Sequence, residues 1–131
     1  MTTPPAPAAA AAADEAPPLL LMLTTLPSRE AAQALAREAV QRRLAACAQI
    51  EAIESLYRWE DTLCEDPEWR LLLKTTPACR TALAALVSDL HPYELPAVLC
   101  VPVSWAEPAF AAWVDDSCRA PAGGPPGDPA R

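Results

Sequence analysis

Leu19 to Thr25 form a short, almost unbroken apolar run that stops at Pro27. Such a run predicts a strand covered on both faces or placed at the centre of a sheet. Ser28 then offers a side-chain oxygen to the first turn of a helix, with Glu30 where negative charge favours a helix start. Ala36, Val40, Leu44 and Cys47 follow at spacings of four, four and three, and Arg37, Glu38, Gln41 and Arg42 take the opposite face. This predicts an amphipathic helix lying on a sheet, with Glu38 and Arg42 paired one turn apart.

From Ala48 the period changes to two. Ile53, Ser55, Tyr57 and Trp59 fall on one face and Glu54, Leu56 and Arg58 on the other, which predicts a second strand. The close succession Ile50, Ala52, Ile53 breaks the alternation and predicts a bulge. Glu60 to Thr62 can turn the chain into a third strand over Trp69 to Thr76, with Pro67 marking an edge, a bulge or the true start. Thr76 as cap and Pro77 at the first position open a second helix with a buried stripe of Leu83, Leu86, Val87 and Leu90, ended by His91 and Pro92. Ala97 to Val103 reads as a fourth strand, and Pro108 opens a short last helix presenting Phe110 and Trp113 from one side. The order βαββαβ plus a terminal helix predicts an α+β, ferredoxin-like sandwich with two helices on one sheet face.

Element lengths add an expectation about assembly. The second strand, Ala48 to Trp59, extends about 40 Å at 3.3 Å per residue, whereas the second helix, Ala78 to Leu90, covers only about 20 Å. The hairpin therefore overruns its helices. An isolated two-stranded ribbon is marginal in water, yet this one carries Tyr57, Trp59, Leu63 and Trp69. An identical subunit is the simplest cover for them, so a homo-oligomer is expected.

Composition narrows the setting. Ten basic against seventeen acidic residues give a net charge of −7, and no stretch interleaves Lys or Arg with aromatics, which argues against nucleic acid as partner. The apolar run Leu19 to Leu23 is far short of the roughly 20 residues that cross a bilayer. The Ala- and Pro-rich residues 1–18 lack the basic start of a secretory signal, so a cytoplasmic protein is expected. Residues 1–18 and 119–131 offer little to bury and read as disordered tails around one domain at 19–118. The five cysteines, Cys47, Cys64, Cys79, Cys100 and Cys118, contain no CxxC pair and are expected to be reduced, with Cys47 and Cys100 acting as small hydrophobes.

Four strings, in order, now carry a resemblance: Arg43-Leu44-Ala45-Ala46-Cys47, Ser55-Leu56-Tyr57-Arg58-Trp59-Glu60, Leu72-Leu73-Lys74-Thr75 and His91-Pro92-Tyr93-Glu94-Leu95-Pro96. Together they resemble the CutA, or divalent-cation tolerance, family over essentially all of residues 19–118. The resemblance implies a ferredoxin-like subunit in a tight trimer held by interlocking hairpins, similar in architecture to PII signalling proteins. It also implies a link to tolerance and binding of copper and other divalent ions. The chain departs from the family pattern at Asp61, where a turn glycine is usual, at Gln49, and at Glu107 and Phe110, where asparagine and tyrosine are usual.

Cys47, His91 and Glu94 form the candidate metal site, since thiolate and imidazole suit copper and a carboxylate can complete the sphere. Alternatively, a protonated His91 caps the second helix at its C-terminal dipole, braced by Pro92 and Pro96. Tyr57, Trp59, Leu63 and Trp69 are the candidate trimer interface, and Lys74 and Tyr93 candidate cleft contacts. Glu65, Asp66 and Glu68 can be read as ligand contacts or, as an acidic run more often is, as a solvated face. With one histidine and no Gly-x-Ser-x-Gly, phosphate-loop or HExxH string, no enzyme is expected. The leading expectation is a trimer binding copper or another divalent cation. The alternative is a PII-like sensor that binds a small anionic metabolite in intersubunit clefts and signals to an unidentified protein partner.

Overall fold

A computed structural model describes residues 16–121. The expected tails therefore lie largely outside the described residues. The chain runs β1 (Leu20–Leu26), α1 (Arg29–Gln41), β2 (Cys47–Trp59), β3 (Thr62–Thr75), a 3-10 turn (Pro77–Cys79), α2 (Arg80–Leu90), β4 (Val98–Pro102) and α3 (Pro108–Ser117). The four strands form one antiparallel sheet in the order β2-β3-β1-β4, the α+β, ferredoxin-like arrangement the element order predicts.

In β1, alternate residues Leu20, Met22, Thr24 and Leu26 are buried while Leu21, Leu23 and Thr25 are half-buried. The buried set meets Leu71 and Leu73 of β3 beneath α1 and α2. Ser28 caps α1 as expected, its Oγ accepting the Ala31 N–H at 3.0 Å, and Arg42 Nε meets Glu38 Oε1 at 2.8 Å. Both partners of that pair are exposed, so it contributes only a few tenths of a kcal/mol, about 0.3–0.5.

The buried stripe of α1 differs from the expected one. Ala32, Leu35, Ala36 and Ala39 face the sheet, and Val40 is exposed. Leu44 is buried, but from the loop after the helix, and Cys47 is half-buried at the start of β2. A stripe at spacings of three, one and three buries three alanines and one leucine and lets α1 lie close to the sheet. In α2, Leu83, Leu86 and Val87 are buried as expected, but Leu90, at the last turn, is exposed. Thr76 precedes a 3-10 turn and makes no side-chain cap bond, so the α-helix begins only at Arg80. Cys100 is exposed on β4.

β2 and β3 pair without interruption from Cys47↔Lys74 to Trp59↔Thr62, so the expected bulge near Ile50 is absent. β3 begins at Thr62 instead of Trp69 and contains Pro67 within its length. β1 ends at the pair Leu26↔Trp69, and seven further β2–β3 pairs continue beyond it, a ribbon of about 23 Å. Pro67 lies in that stretch, where one flank of β3 has no neighbouring strand and a missing N–H is tolerated. Leu56 and Leu63 project from one face of the ribbon and Tyr57 and Trp59 from the other, all exposed.

The ribbon turns on two residues, Glu60 and Asp61, both with positive φ (51° and 63°). Two successive left-handed residues are the signature of a type I′ turn, whose twist matches a hairpin but which favours Asn-Gly. Glu60→Asn combined with Asp61→Gly should raise subunit stability by about 1 kcal/mol, read as a higher urea midpoint with an unchanged slope.

A carboxylate and phenol cleft at the base of the ribbon

His91 follows the last residue of α2, and its ring turns away from the helix end toward β1. Its Nε2 lies 2.8 Å from the Thr25 carbonyl oxygen and 3.1 Å from Thr24 Oγ1, and Nδ1 accepts the Tyr93 N–H at 3.1 Å. A backbone carbonyl only accepts, and an amide only donates, so the proton sits on Nε2 and the ring is neutral. Burial lowers the His91 pKa from its usual value, opposed by the Thr25 carbonyl and the Glu68 charge. The expected protonated cap on the helix dipole is therefore replaced by a neutral imidazole that pins the α2–β4 loop to β1.

That pin sets the position of Tyr93. Its ring lies 5.0 Å from the His91 ring, and its hydroxyl donates to Glu68 Oε2 at 2.8 Å. Burial first, and then the bond to Glu68, push the Tyr93 phenol well above its usual pKa, so it remains a donor. Further out on the same ribbon face, Tyr57 donates to Asp66 Oδ2 at 2.5 Å, and that bond raises its pKa to about 12. Each phenol thus engages one oxygen of a neighbouring carboxylate.

Between the ribbon and residues 93–97 lies an open cleft of about 660 Å³. Glu54, Glu68 and Glu94 line it with Tyr57, Tyr93 and Trp59, and its described lining includes no Lys or Arg. Glu68 is buried and hydrogen-bonded, unlike the solvated residue the acidic run suggests. Its signal in the sequence was its place on the Ile53–Tyr57 face, which becomes visible only when β3 starts at Thr62.

The other candidate residues disperse. Cys47 pairs with Lys74, while His91 binds β1 residues that pair with Leu71 and Arg70, about 10–13 Å along β3. Within one subunit the thiol and imidazole do not converge, and both ring nitrogens of His91 are already engaged. Among the described residues no three His, Cys, Asp or Glu side chains gather as a metal site. Tyr93 lines the cleft, but Lys74 sits elsewhere, its Nζ 5.4 Å from the centre of the Phe110 ring. Of the four interface candidates, Tyr57, Trp59 and Leu63 are exposed on the ribbon, whereas Trp69 packs against the core beneath Arg29, 5.9 Å above its ring. Glu107 caps α3, accepting the Phe110 N–H at 2.9 Å, and Phe110 stacks on Trp113 with ring centres 5.7 Å apart.

Comparison with known proteins now decides the family. The model of the family described as CutA1 divalent ion tolerance protein matches residues 20–117. The chain belongs to this family. A relative from Encephalitozoon cuniculi, a probable divalent-cation tolerance protein cutA homolog, is 36% identical over 101 residues, covering 74% of this chain and 89% of its own. The Arabidopsis thaliana protein CutA, chloroplastic, is 36% identical over 96 residues, covering 72% of this chain and 53% of its own. Its name shows that family membership alone fixes no compartment. The crystal structure of CutA1 from Oryza sativa superposes with a TM-score of 0.76 at 32% identity, over 79% of this chain and 96% of that one. No helix among the described residues is long and apolar enough to cross a membrane.

A neutral buried His91 has a consequence for pH. The unfolded chain protonates near the ordinary value of 6.5 and the folded one only at lower pH, so the unfolded state binds protons first as pH falls. Stability is complete above pH 6.5 and declines as pH drops through it toward the lowered folded value. The urea midpoint should fall between pH 7.5 and 5.5. His91→Gln should be about 2 kcal/mol less stable at pH 7.5 and should lose most of that slope.

Proposed function

We propose that the chain assembles as a homotrimer through the β2–β3 ribbon and that the acidic cleft at its base binds a divalent cation, contributing to divalent-cation tolerance. The observation that carries this reading is the cleft lining: Glu68 and Glu94 beside the phenols of Tyr57 and Tyr93, with no described basic residue in the lining. Negative charge focused over apolar walls attracts a cation and repels the anionic metabolite of a PII-like sensor. Copper is the ion to test first, because divalent affinity at oxygen and nitrogen sites peaks at Cu²⁺.

Assembly supplies what one subunit lacks. Leu56, Leu63, Tyr57 and Trp59 leave both ribbon faces apolar and exposed, and a neighbouring copy that covers them brings its own donors beside the cleft. The five cysteines are free thiols, which fits a reducing compartment such as the cytoplasm.

Sedimentation equilibrium should give a trimer at micromolar concentration, and a folded monomer would remove the shared site. Calorimetric titration of Cu²⁺ into the assembled protein should show an affinity that drops at least tenfold, about 1.4 kcal/mol, in Glu68→Gln/Glu94→Gln. Cys47→Ser should bind as the parent does. Unchanged affinity in the double variant, with loss in Cys47→Ser, would move the ion to the thiol.

A further inference from the structure

Among the described residues, Glu68 is the only carboxylate that the fold buries, at 8% exposed. Its Oε2 accepts the Tyr93 hydroxyl at 2.8 Å, and its Oε1 has no hydrogen-bond partner among the described residues. Every fully enclosed side-chain oxygen described has a partner, so Oε1 opens into the cleft that Glu68 lines. Arg70, two residues along β3, is taken by Glu51 at 2.8 Å, and the described cleft lining includes no Lys or Arg. A carboxylate this buried, with one phenol donor and no cation, has its positive partner still to come from a ligand.

The space in front of Glu68 is larger than a metal ion needs. About 660 Å³ is the size of a small-molecule site, and among the described residues no three His, Cys, Asp or Glu side chains gather there. Tyr57 and Trp59 stand two apart on one face of β2, and Glu94 and Leu95 face the cleft from the loop before β4, all four exposed. The hydroxyls of Tyr57 and Tyr93 are committed to Asp66 and Glu68, so the tyrosines offer a ligand their carbon surface and no free oxygen. Negative charge is thus held at two places, buried Glu68 and exposed Glu94, with aromatic and aliphatic surface beside them.

We propose that the cleft takes an aliphatic polyamine, one ammonium donating to Glu68 Oε1, a second meeting Glu94, and the methylene chain lying along Tyr57, Trp59 and Leu95. This rests on the reading of the cleft as a cation site and names an organic cation as a ligand of it. An ammonium brings both the charge and the N–H donors that Glu68 lacks, and a cation near the aromatic rings gains further attraction. A metal ion requires ligands that converge on one point, whereas a polyamine uses carboxylates that stand apart. The methylenes remove apolar wall from water, which neither a bare ion nor a small anion does.

The test titrates 1,4-diaminobutane into the full-length assembled protein by calorimetry at about 0.15 M NaCl, where non-specific attraction to the net negative charge is screened. Binding should saturate at one diamine per subunit, and the monoamine 1-aminobutane should bind at least about tenfold more weakly. Glu68→Gln and, separately, the exposed-loop variant Glu94→Gln should each weaken the diamine at least about tenfold. Trp59→Ala should weaken it about threefold and leave a Cu²⁺ titration unchanged. Glu30→Gln/Asp115→Asn, which removes two exposed carboxylates outside the lining, should bind as the parent does. Equal loss in that control, or parent-like binding in both Glu68→Gln and Glu94→Gln, would overturn the proposal. So would Cu²⁺ binding that depends on Glu68 and Glu94 without any diamine binding, an outcome that leaves the cation site standing. No binding of either would remove the cation site as well.

Discussion

β3 is paired on both flanks from Trp69 to Lys74 and on one flank from Thr62 to Glu68, and the molecule is organised by that difference. The doubly paired half carries Leu71 and Leu73 into the core under two helices. The singly paired half leaves the domain as a ribbon, with no helix to cover either face. A cleft arises where the two regimes meet, because the loop after α2 has to cross the root of the ribbon to reach β4. The exposed ribbon and the cleft at its root therefore share one cause, the early end of β1 at Leu26.

His91 shows how position overrules residue type. A sole histidine beside a glutamate invites a reading as metal ligand, and one at a helix end invites a reading as a cationic cap. Its surroundings permit neither role within the subunit, since a carbonyl and an amide occupy opposite ring nitrogens and fix a neutral tautomer. What it does instead is hold Tyr93 where the phenol can reach Glu68. Glu68 of the cleft is thereby oriented by one phenol donor and, one step removed, by an imidazole, the kind of support that fixes carboxylate geometry.

Element order, the Ser28 cap and the Leu83, Leu86, Val87 stripe were legible because local periodicity and capping chemistry determine them. The start of β3 was not: Thr62 to Glu68 contains a proline and three acids, and alternation between faces carries no hydrophobic signal where both faces lie open within the subunit. Missing those residues hid Asp66 and Glu68 as partners of the tyrosines. The phase of α1 was misread because Val40 outranks Ala32 and Ala39 in hydrophobicity, while close approach to the sheet favours the smaller side chains. The anchoring of α3 was equally hidden, since it depends on the Arg43 guanidinium reaching the Asp116 and Ser117 carbonyls more than seventy residues away.

Pro67 gives the ribbon a protection that its apolar side chains would otherwise forfeit. Beyond Leu26 the outer flank of β3 is unpaired and is a template for further strands, and greasy faces invite them to stack. The imide nitrogen interrupts the row of amide donors midway, and the acids Glu65, Asp66 and Glu68 around it repel an incoming copy in register. In the proposed assembly the ribbon's faces can then meet side-on while this edge of β3 is poorly suited to edge-to-edge growth into fibrils.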